Sequence, residues 1–392
     1  MGTGPPEPLL SDAIIDALAE VYPPGELGEV IKALGKPGPR YYMRVNTLKA
    51  DTGTVIDRLR ERGLDARKDE HLPEAIYVPV RGPFELPEVE KEVVVDKFTA
   101  ESAMMGSNVY VPGVLSFRGV RRCDEVLVVS ELGQPVAFGI ARMDEHEVLS
   151  ARKGLAVEVL RPLYELPPIR ELKEFKEGLI YPQSLPSMLA SRVLEPEPGE
   201  LVLDVACGPG GKLSHICQLT SNGARVIGFD RSKRKVAETR EVLSRLGCEA
   251  AVVRADSRYL DLDVPSLVER ADRVLVDPPC SALGVLPKLF DLKDRRELAS
   301  LAEYQKQFIK VAAKLVRPGG VVVYSVCTMT ARECEGIVSF AVEECGLEVD
   351  EQPIYIGSRG LPGLVERAEL LQRFHPHLHG SGYFIARLVR PR

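Results

Sequence analysis

Residues 201–212 read LVLDVACGPGGK: branched apolar residues deliver Asp204 and then a glycine-rich turn. Glycine lets a backbone turn sharply and approach a ligand closely, and a helix opening just beyond would aim its free N–H groups at that ligand. The loop is not of the phosphate-cradling kind, because Leu213 follows Lys212 where a magnesium-binding hydroxyl would stand. Alone, the stretch reads equally as a tight strand-to-helix turn. The residues downstream decide between the two.

From Leu201 onward the pattern alternates strand and helix. Strands are expected over 201–206, 224–230, 249–256, 273–279 and 321–327. Helices are expected over Ser232 to Leu246, closed by Gly247, and over about Arg295 to Val316, closed by Gly319. Thr330-Ala-Arg-Glu333 has the capping-box pattern and predicts a further helix start. Five short parallel strands with crossover helices predict an α/β, doubly wound, Rossmann-like sheet whose ligand site lies at the carboxyl ends of the strands. The second strand ends at Asp230, where an adenosine ribose would present its hydroxyls, and the third at Asp256, facing the adenine edge or the ribose. Acids at successive strand ends beside a glycine loop point to an adenosine cofactor. Ala206, Cys207, Gly208, Pro209, Gly210, Gly211, Lys212, Asp230, Asp256 and Asp277 are its candidate contacts.

The fourth strand ends Asp277-Pro278-Pro279-Cys280 and the fifth Ser325-Val326-Cys327-Thr328. In a strand order 3-2-1-4-5 the two are neighbours, and both thiols face the cofactor pocket. A buried cysteine is usually a small hydrophobe, the bland reading for Cys207, Cys217, Cys248, Cys334 and Cys345. Cys280 and Cys327 differ because each leaves a strand at its functional end. Carbon 5 of cytosine is too poor a nucleophile to take a methyl group from a sulfonium unaided. A thiolate adding to carbon 6 breaks the aromaticity, so one thiol must attack and a second group must help release it. Asp277 could bond the ring nitrogen and exocyclic amine, and Lys212 could favour the thiolate electrostatically. A methyltransferase acting on exocyclic amines would favour an aromatic residue after Asp-Pro-Pro and have no use for Cys327.

The rest of the chain sets bounds. Its 392 residues predict two or three domains, and 45% hydrophobic with 28% charged residues is a globular composition. The N-terminal MGTGPPEPLLSDAII lacks a basic start and a cleavable apolar stretch, and no long apolar run occurs, so a cytoplasmic protein is expected. Eight cysteines without a C-x-x-C pair make neither a disulfide framework nor a zinc ribbon, and His375-Pro-His377-Leu-His379 reads as a loop, so no metal is expected. A net charge of −6 argues mildly against a nucleic-acid partner, although a local basic face suffices to track phosphates. Residues 1–90 form an α/β region, with a helix capped by Ser11, a strand over 41–48 and a helix over 55–62. Residues 91–165 turn to short β-rich runs between Gly and Pro turns, a compact β-barrel or sandwich, and 166–392 carry the catalytic sheet.

The glycine loop, Asp230, Asp256, Asp277, DPPCS and YSVCT stand in an order that resembles the Sun-type, RsmB-like family of RNA cytosine-5 methyltransferases. RVNTLK (44–49), GLIYPQSLPSML (178–189) and RFHPHLHGSGYFIARL (373–388) resemble it too. The resemblance implies S-adenosylmethionine as cofactor, Cys327 as nucleophile, Cys280 assisting release, and an RRM-like element in the N-terminal region whose Arg44 and Lys49 touch RNA. The chain departs from the family at Val205-Ala-Cys-Gly208, Leu213 and Val326, small or apolar swaps expected to leave activity intact. VPGVLSFRGVRRCDEVLVVSELGQPVAFGIARM (111–143) and KGLAVEVLRPLY (153–164) resemble a PUA RNA-binding domain, with Cys123 where Gly is usual. From Lys91 to Arg161 there are 9 Lys and Arg against 10 Asp and Glu, so a local cluster must bind; Arg118, Arg121 and Arg122, then Arg152 and Lys153, are the candidates. An inserted PUA domain resembles the tRNA-modifying branch, which implies tRNA as substrate near the acceptor end, where fraying eases flipping out the cytosine; a monomer is expected. The competing expectations are rRNA as substrate, or an RNA-binding assembly factor that kept the fold without the chemistry.

Overall fold

The computed structural model describes residues 6–392; Met1 to Pro5, part of the N-terminal stretch read above for targeting signals, lie outside the described residues. The catalytic sheet contains β1 (Leu201–Asp204), β2 (Arg225–Asp230), β3 (Ala251–Arg254), β4 (Ala271–Val276), β5 (Val316–Val326) and β6 (Tyr383–Val389), in the order β3-β2-β1-β4-β5-β6. The first five run parallel. β6 is antiparallel to β5, with Ser325 opposite Ile385, and was not among the expected strands. Alternate residues feed the two faces: Val274, Val276, Val322 and Tyr324 join one apolar cluster, Leu275, Val321 and Val323 the other. Burial on both sides is why these strands read as continuous branched apolar runs.

Two expected helix ends move. The helix Arg295–Leu315 opens with a capping box between Asp294 and Glu297 and stops at Leu315. Val316 already pairs with Ala271 of β4, and Gly319 lies inside β5 rather than capping the helix. Pro318 is the physical reason, since it cannot donate to a helical ladder and pushes the preceding residue out of helical backbone. Thr330–Glu333 opens no helix; the helix spans Glu335–Glu343, preceded by Cys334 without a side-chain cap. The side chain of Glu333 turns into the core instead and is 1% exposed.

The expected divisions at 90 and 165 are crossed twice. Helices Asp12–Ala19 (capped by Ser11) and Pro24–Leu34 pack Ile14, Leu18, Tyr22 and Leu34 against Leu283, Leu298 and Met329 of the catalytic domain. The small sheet of Arg40–Val45, Ala75–Pro79 and Arg67–Lys68 receives its fourth strand, Ile180–Pro182, from beyond the insert. The insert itself is a six-stranded sheet between these parts. It packs on the segment that follows Cys280: Gln134 Nε2 donates to the Leu289 carbonyl (3.0 Å), Glu101 accepts from Leu289 N (3.0 Å), and Leu289 and Phe290 join the insert's apolar cluster.

A buried polar joint fastens the small sheet to the catalytic domain. Glu74 accepts from Arg192 Nε (2.9 Å) and Nη2 (2.6 Å) and lies 2.9 Å from His215 Nε2. Burial raises the Glu74 carboxyl, but the bonds from His215 and Arg192 outweigh it and hold the group well below the carboxylate range. Burial, helped by Arg44, lowers His215 from 6.5 to about 4, so a neutral imidazole donates to an ionised carboxylate. Between pH 6.5 and 4 the unfolded chain takes up a proton on this histidine that the folded chain refuses, so stability falls with pH. Thermal melting should lose roughly 3 kcal/mol over that window, by the conversion of about 1.4 kcal/mol per pKa unit. His215→Gln should flatten this part of the profile, and a wild-type curve level from pH 6.5 to 4 would contradict the assignment.

Candidate active site

β1 delivers Asp204 into the turn before the helix Gly211–Leu219. Asp204 is 2% exposed, and burial with the nearby Asp277 and Asp230 raises its carboxyl to about 7 while Ala206 N donates to it (3.1 Å). A cavity of about 200 Å³ opens here, lined by Ala206, Cys207, Gly208, Pro209, Gly211, Lys212 and Asp277 of the expected set. Gly208 is required by space: a Cβ would stand 2.8 Å from Asp230 Oδ2 and 2.7 Å from Lys235 Cβ. Gly210 holds φ +99°, a backbone that side chains rarely adopt. Cys207 contributes backbone only, because its thiol turns into the core beside Gly228.

The acids at the next strand ends differ. Asp230 accepts from Ser232 N (2.7 Å) and keeps its other oxygen against Gly208, inside the loop. Asp256 caps the turn after β3 and takes the Arg258 guanidinium on both oxygens (Nε 2.9 Å, Nη2 2.6 Å). That pairing holds its pKa below the usual value, and any adenine contact competes with Arg258. The glycine cradle, the Asp230 carboxylate and the open cavity fit an adenosine-bearing cofactor. Tyr181, Gln183, Ser184 and Ser187 also line the cavity and were not foreseen. They arrive from the small sheet and the helix after it; the YPQSLPS of GLIYPQSLPSML was their only trace.

Asp277 leaves β4 and Cys327 leaves β5, which are hydrogen-bonded neighbours. Cys280 Sγ and Cys327 Sγ are 3.4 Å apart, and both side chains are half-buried. Lys212 Nζ donates to Asp277 Oδ2 at 2.6 Å, and Ser325 Oγ (3.2 Å) and Tyr383 OH (3.5 Å) donate to Oδ1. Burial opposes the Lys212 charge, yet Asp277 more than offsets it, and the ammonium persists above its usual pKa. The bond from Cys280 lowers the Cys327 thiol, with Lys212 acting the same way against burial and Asp277. Cys280 moves up, as donor to its neighbour, by burial, and by facing Glu333. The two shifts run in opposite directions, so Cys327 is the thiol of the pair that ionises first. Tyr383 was missed because it belongs to the unforeseen β6.

Arg44 does not face RNA. It is 0% exposed and donates to Gly211 O (2.6 Å), Ser214 Oγ (2.6 Å) and Gln183, bracing the cofactor loop from behind. Lys49 spends its ammonium on the carbonyls of Glu177 (2.9 Å) and Arg245 (2.7 Å), joining the C-terminal ends of two helices. Arg118, Arg121, Arg122, Arg152 and Lys153 are all exposed on the insert. Arg122 is engaged by both oxygens of Glu147 at 2.9 Å. Cys123 holds φ +70°, which explains why glycine suits that position. His375 meets Tyr22 OH (2.8 Å) and His377 meets Glu26 (2.8 Å), and no group of metal-ligating side chains occurs among the described residues.

The family model described as 16S rRNA methyltransferase RsmB/F matches residues 191–389, a PUA domain model 91–163, and an RsmF/B-like ferredoxin-like domain model 12–85. The chain is 42% identical to a tRNA (cytosine(72)-C(5))-methyltransferase of Pyrococcus horikoshii over 369 residues, 93% of this chain and 92% of that protein. It is 29% identical to human tRNA (cytosine(72)-C(5))-methyltransferase NSUN6, covering 94% of this chain and 87% of that one. The crystal structure of NSun6 from Pyrococcus horikoshii with SFG superposes with a TM-score of 0.89 at 39% identity, over 98% of this chain and 99% of that one. No helix among the described residues is long and apolar enough to cross a membrane.

Proposed function

Since the chain belongs to the RsmB/F family of S-adenosylmethionine-dependent RNA cytosine-5 methyltransferases, we propose that it methylates carbon 5 of cytosine 72 in the acceptor stem of tRNA. The observation that carries the chemistry is the pair of thiols 3.4 Å apart beyond the ends of β4 and β5, with Cys327 lowered by its bond with Cys280. Bound over the glycine loop, S-adenosylmethionine supplies an electrophilic methyl group. Ala206 to Lys212 and Asp230 would hold that cofactor, and Asp256 would meet its adenosine end only in competition with Arg258. The Cys327 thiolate adds to carbon 6 of the flipped-out cytosine, which makes carbon 5 nucleophilic. Asp277, oriented by Lys212, Ser325 and Tyr383, accepts a hydrogen bond from the exocyclic amine and so orients the ring as charge develops on it. Once carbon 5 carries the methyl group and loses its proton, Cys327 is eliminated with Cys280 assisting.

The substrate rests on the P. horikoshii and human relatives and on the insert, whose exposed arginines and Lys153 supply phosphate contacts from a protein of overall negative charge. We take the protein to act as a cytoplasmic monomer. The test incubates it with methyl-labelled S-adenosylmethionine and tRNA transcripts carrying C72 or U72, alongside small-subunit rRNA. Label on the C72 transcript, absent from U72 and from rRNA, is the expected result. Label on rRNA or equally on both transcripts would move the substrate elsewhere.

A further inference from the structure

Glu333 is a buried carboxylate that pairs with no cation among the described residues, and beyond its electrostatic effect on Cys280 it has no part in the chemistry above. Its oxygens are nevertheless surrounded. Oε1 accepts from Ser281 N (2.8 Å) and Gln305 Nε2 (2.9 Å). Oε2 accepts from Ser281 Oγ (2.6 Å) and Thr330 Oγ1 (3.0 Å), with Thr328 Oγ1 at 3.4 Å. Ser281 Oγ and Thr328 Oγ1 also bond each other at 2.6 Å. Gln305 Nε2 further donates to the Pro279 carbonyl (3.1 Å), and Tyr324 OH reaches Gln305 Oε1 (3.1 Å) and the Glu333 carbonyl (2.7 Å).

These contacts share one feature. Pro279 and Ser281 flank Cys280, and Thr328 follows Cys327, so the backbone on either side of one thiol and the residue after the other converge on a single carboxylate. A buried polar group is costly unless it is hydrogen-bonded, a requirement that an apolar side chain in this space would not carry. The network specifies position instead, since every oxygen lone pair is directed at a named donor.

We propose that Glu333 is a positioning residue: it clamps the loop after Cys280 to the loop after Cys327 and thereby sets the distance between the two thiols. The role in turnover rests on the two-thiol reading, but the geometry does not. Loss of the clamp releases Cys280 more than Cys327, because Cys327 continues directly from β5 whereas Cys280 follows two prolines. Among the described residues no hydrogen bond joins the cofactor loop to the network, so the loop keeps its affinity.

The experiment compares wild type, Glu333→Ala, Glu333→Gln and Ser281→Ala, with Cys280→Ala alongside. Diamide oxidation of the RNA-free protein, followed by peptide mass mapping, reads how fast Cys280 and Cys327 join, and so reports their juxtaposition. Melting temperature, S-adenosylmethionine affinity, methyl transfer and the covalent RNA adduct are measured on the same samples. Glu333→Ala and Ser281→Ala should slow the Cys280–Cys327 joining and accumulate adduct, with cofactor affinity unchanged. Turnover in Glu333→Ala should fall by about 10²-fold, the scale of a misplacement of order 1 Å. Glu333→Gln should restore both readings, since an amide can accept from Ser281 N and Gln305 and donate to the hydroxyls. If Glu333→Ala does not fold, Ser281→Ala decides. Wild-type joining and turnover in Ser281→Ala and in any folded Glu333→Ala protein would overturn the clamp. If Cys280→Ala fails to trap RNA, the two-thiol reading falls, while the joining rates still judge the clamp.

Discussion

Cys327→Ala should abolish methyl transfer and form no covalent protein–RNA complex, whereas Cys280→Ala should stall with protein joined to RNA on a denaturing gel. The opposite phenotypes follow from the polarity of the pair. Cys327 is lowered by its bond from Cys280 and by Lys212, and Cys280 is raised by the same bond, by burial and by Glu333. Without Cys327, carbon 6 is never attacked, carbon 5 stays aromatic, and turnover should fall by at least about 10⁴-fold. Without Cys280, attack and methylation proceed but elimination slows, so the adduct persists. Methylation by both variants at wild-type rates would make the thiols structural, and exchanged phenotypes would exchange the roles.

Removal of Lys212 has the next largest expected effect. Its ammonium bonds the Asp277 carboxylate and acts electrostatically on the Cys327 thiol. Lys212→Met should raise the Cys327 pKa, because the favourable charge is lost while burial and Asp277 still oppose the thiolate. The rate at neutral pH should fall by about 10²–10³-fold, and the rise of rate with pH should move to more alkaline values. Single-turnover rates from pH 6 to 10 read both changes. A variant that loses rate without moving its profile would show that Lys212 positions Asp277 rather than tuning the thiol.

The sequence made the catalytic sheet legible because its central strands are buried on both faces and read as unbroken apolar runs ending in Asp or Cys. Positions after those strands, from the glycine loop to Asp277, Cys280 and Cys327, fell where strand polarity requires. β6 was missed because its apolar stretch follows a tract of His, Pro and Gly that reads as loop, and Tyr383 was missed with it. Tyr181, Gln183, Ser184 and Ser187 reach the cavity from another part of the chain, a juxtaposition that no local pattern encodes. Arg44 misled because an arginine in a strand usually points to solvent, whereas here its guanidinium meets Gly211, Ser214 and Gln183 in the interior. Thr330–Glu333 has the spacing of a capping box, but tertiary partners claim the carboxylate: Ser281 and Gln305 outcompete the local backbone. Asp256 shows the same limit, since its place at a strand end was predictable and its engagement by Arg258 was not.

The measurement that bears most directly on the chemistry uses tRNA labelled with tritium at carbon 5 of cytosine and unlabelled S-adenosylmethionine. Attack at carbon 6 followed by methylation at carbon 5 must expel the carbon 5 hydrogen. Tritium should therefore enter water in a one-to-one ratio with methyl groups transferred, and Cys327→Ala should release none. Methyl transfer that leaves the tritium on the RNA would place the methyl group on another atom and contradict the account.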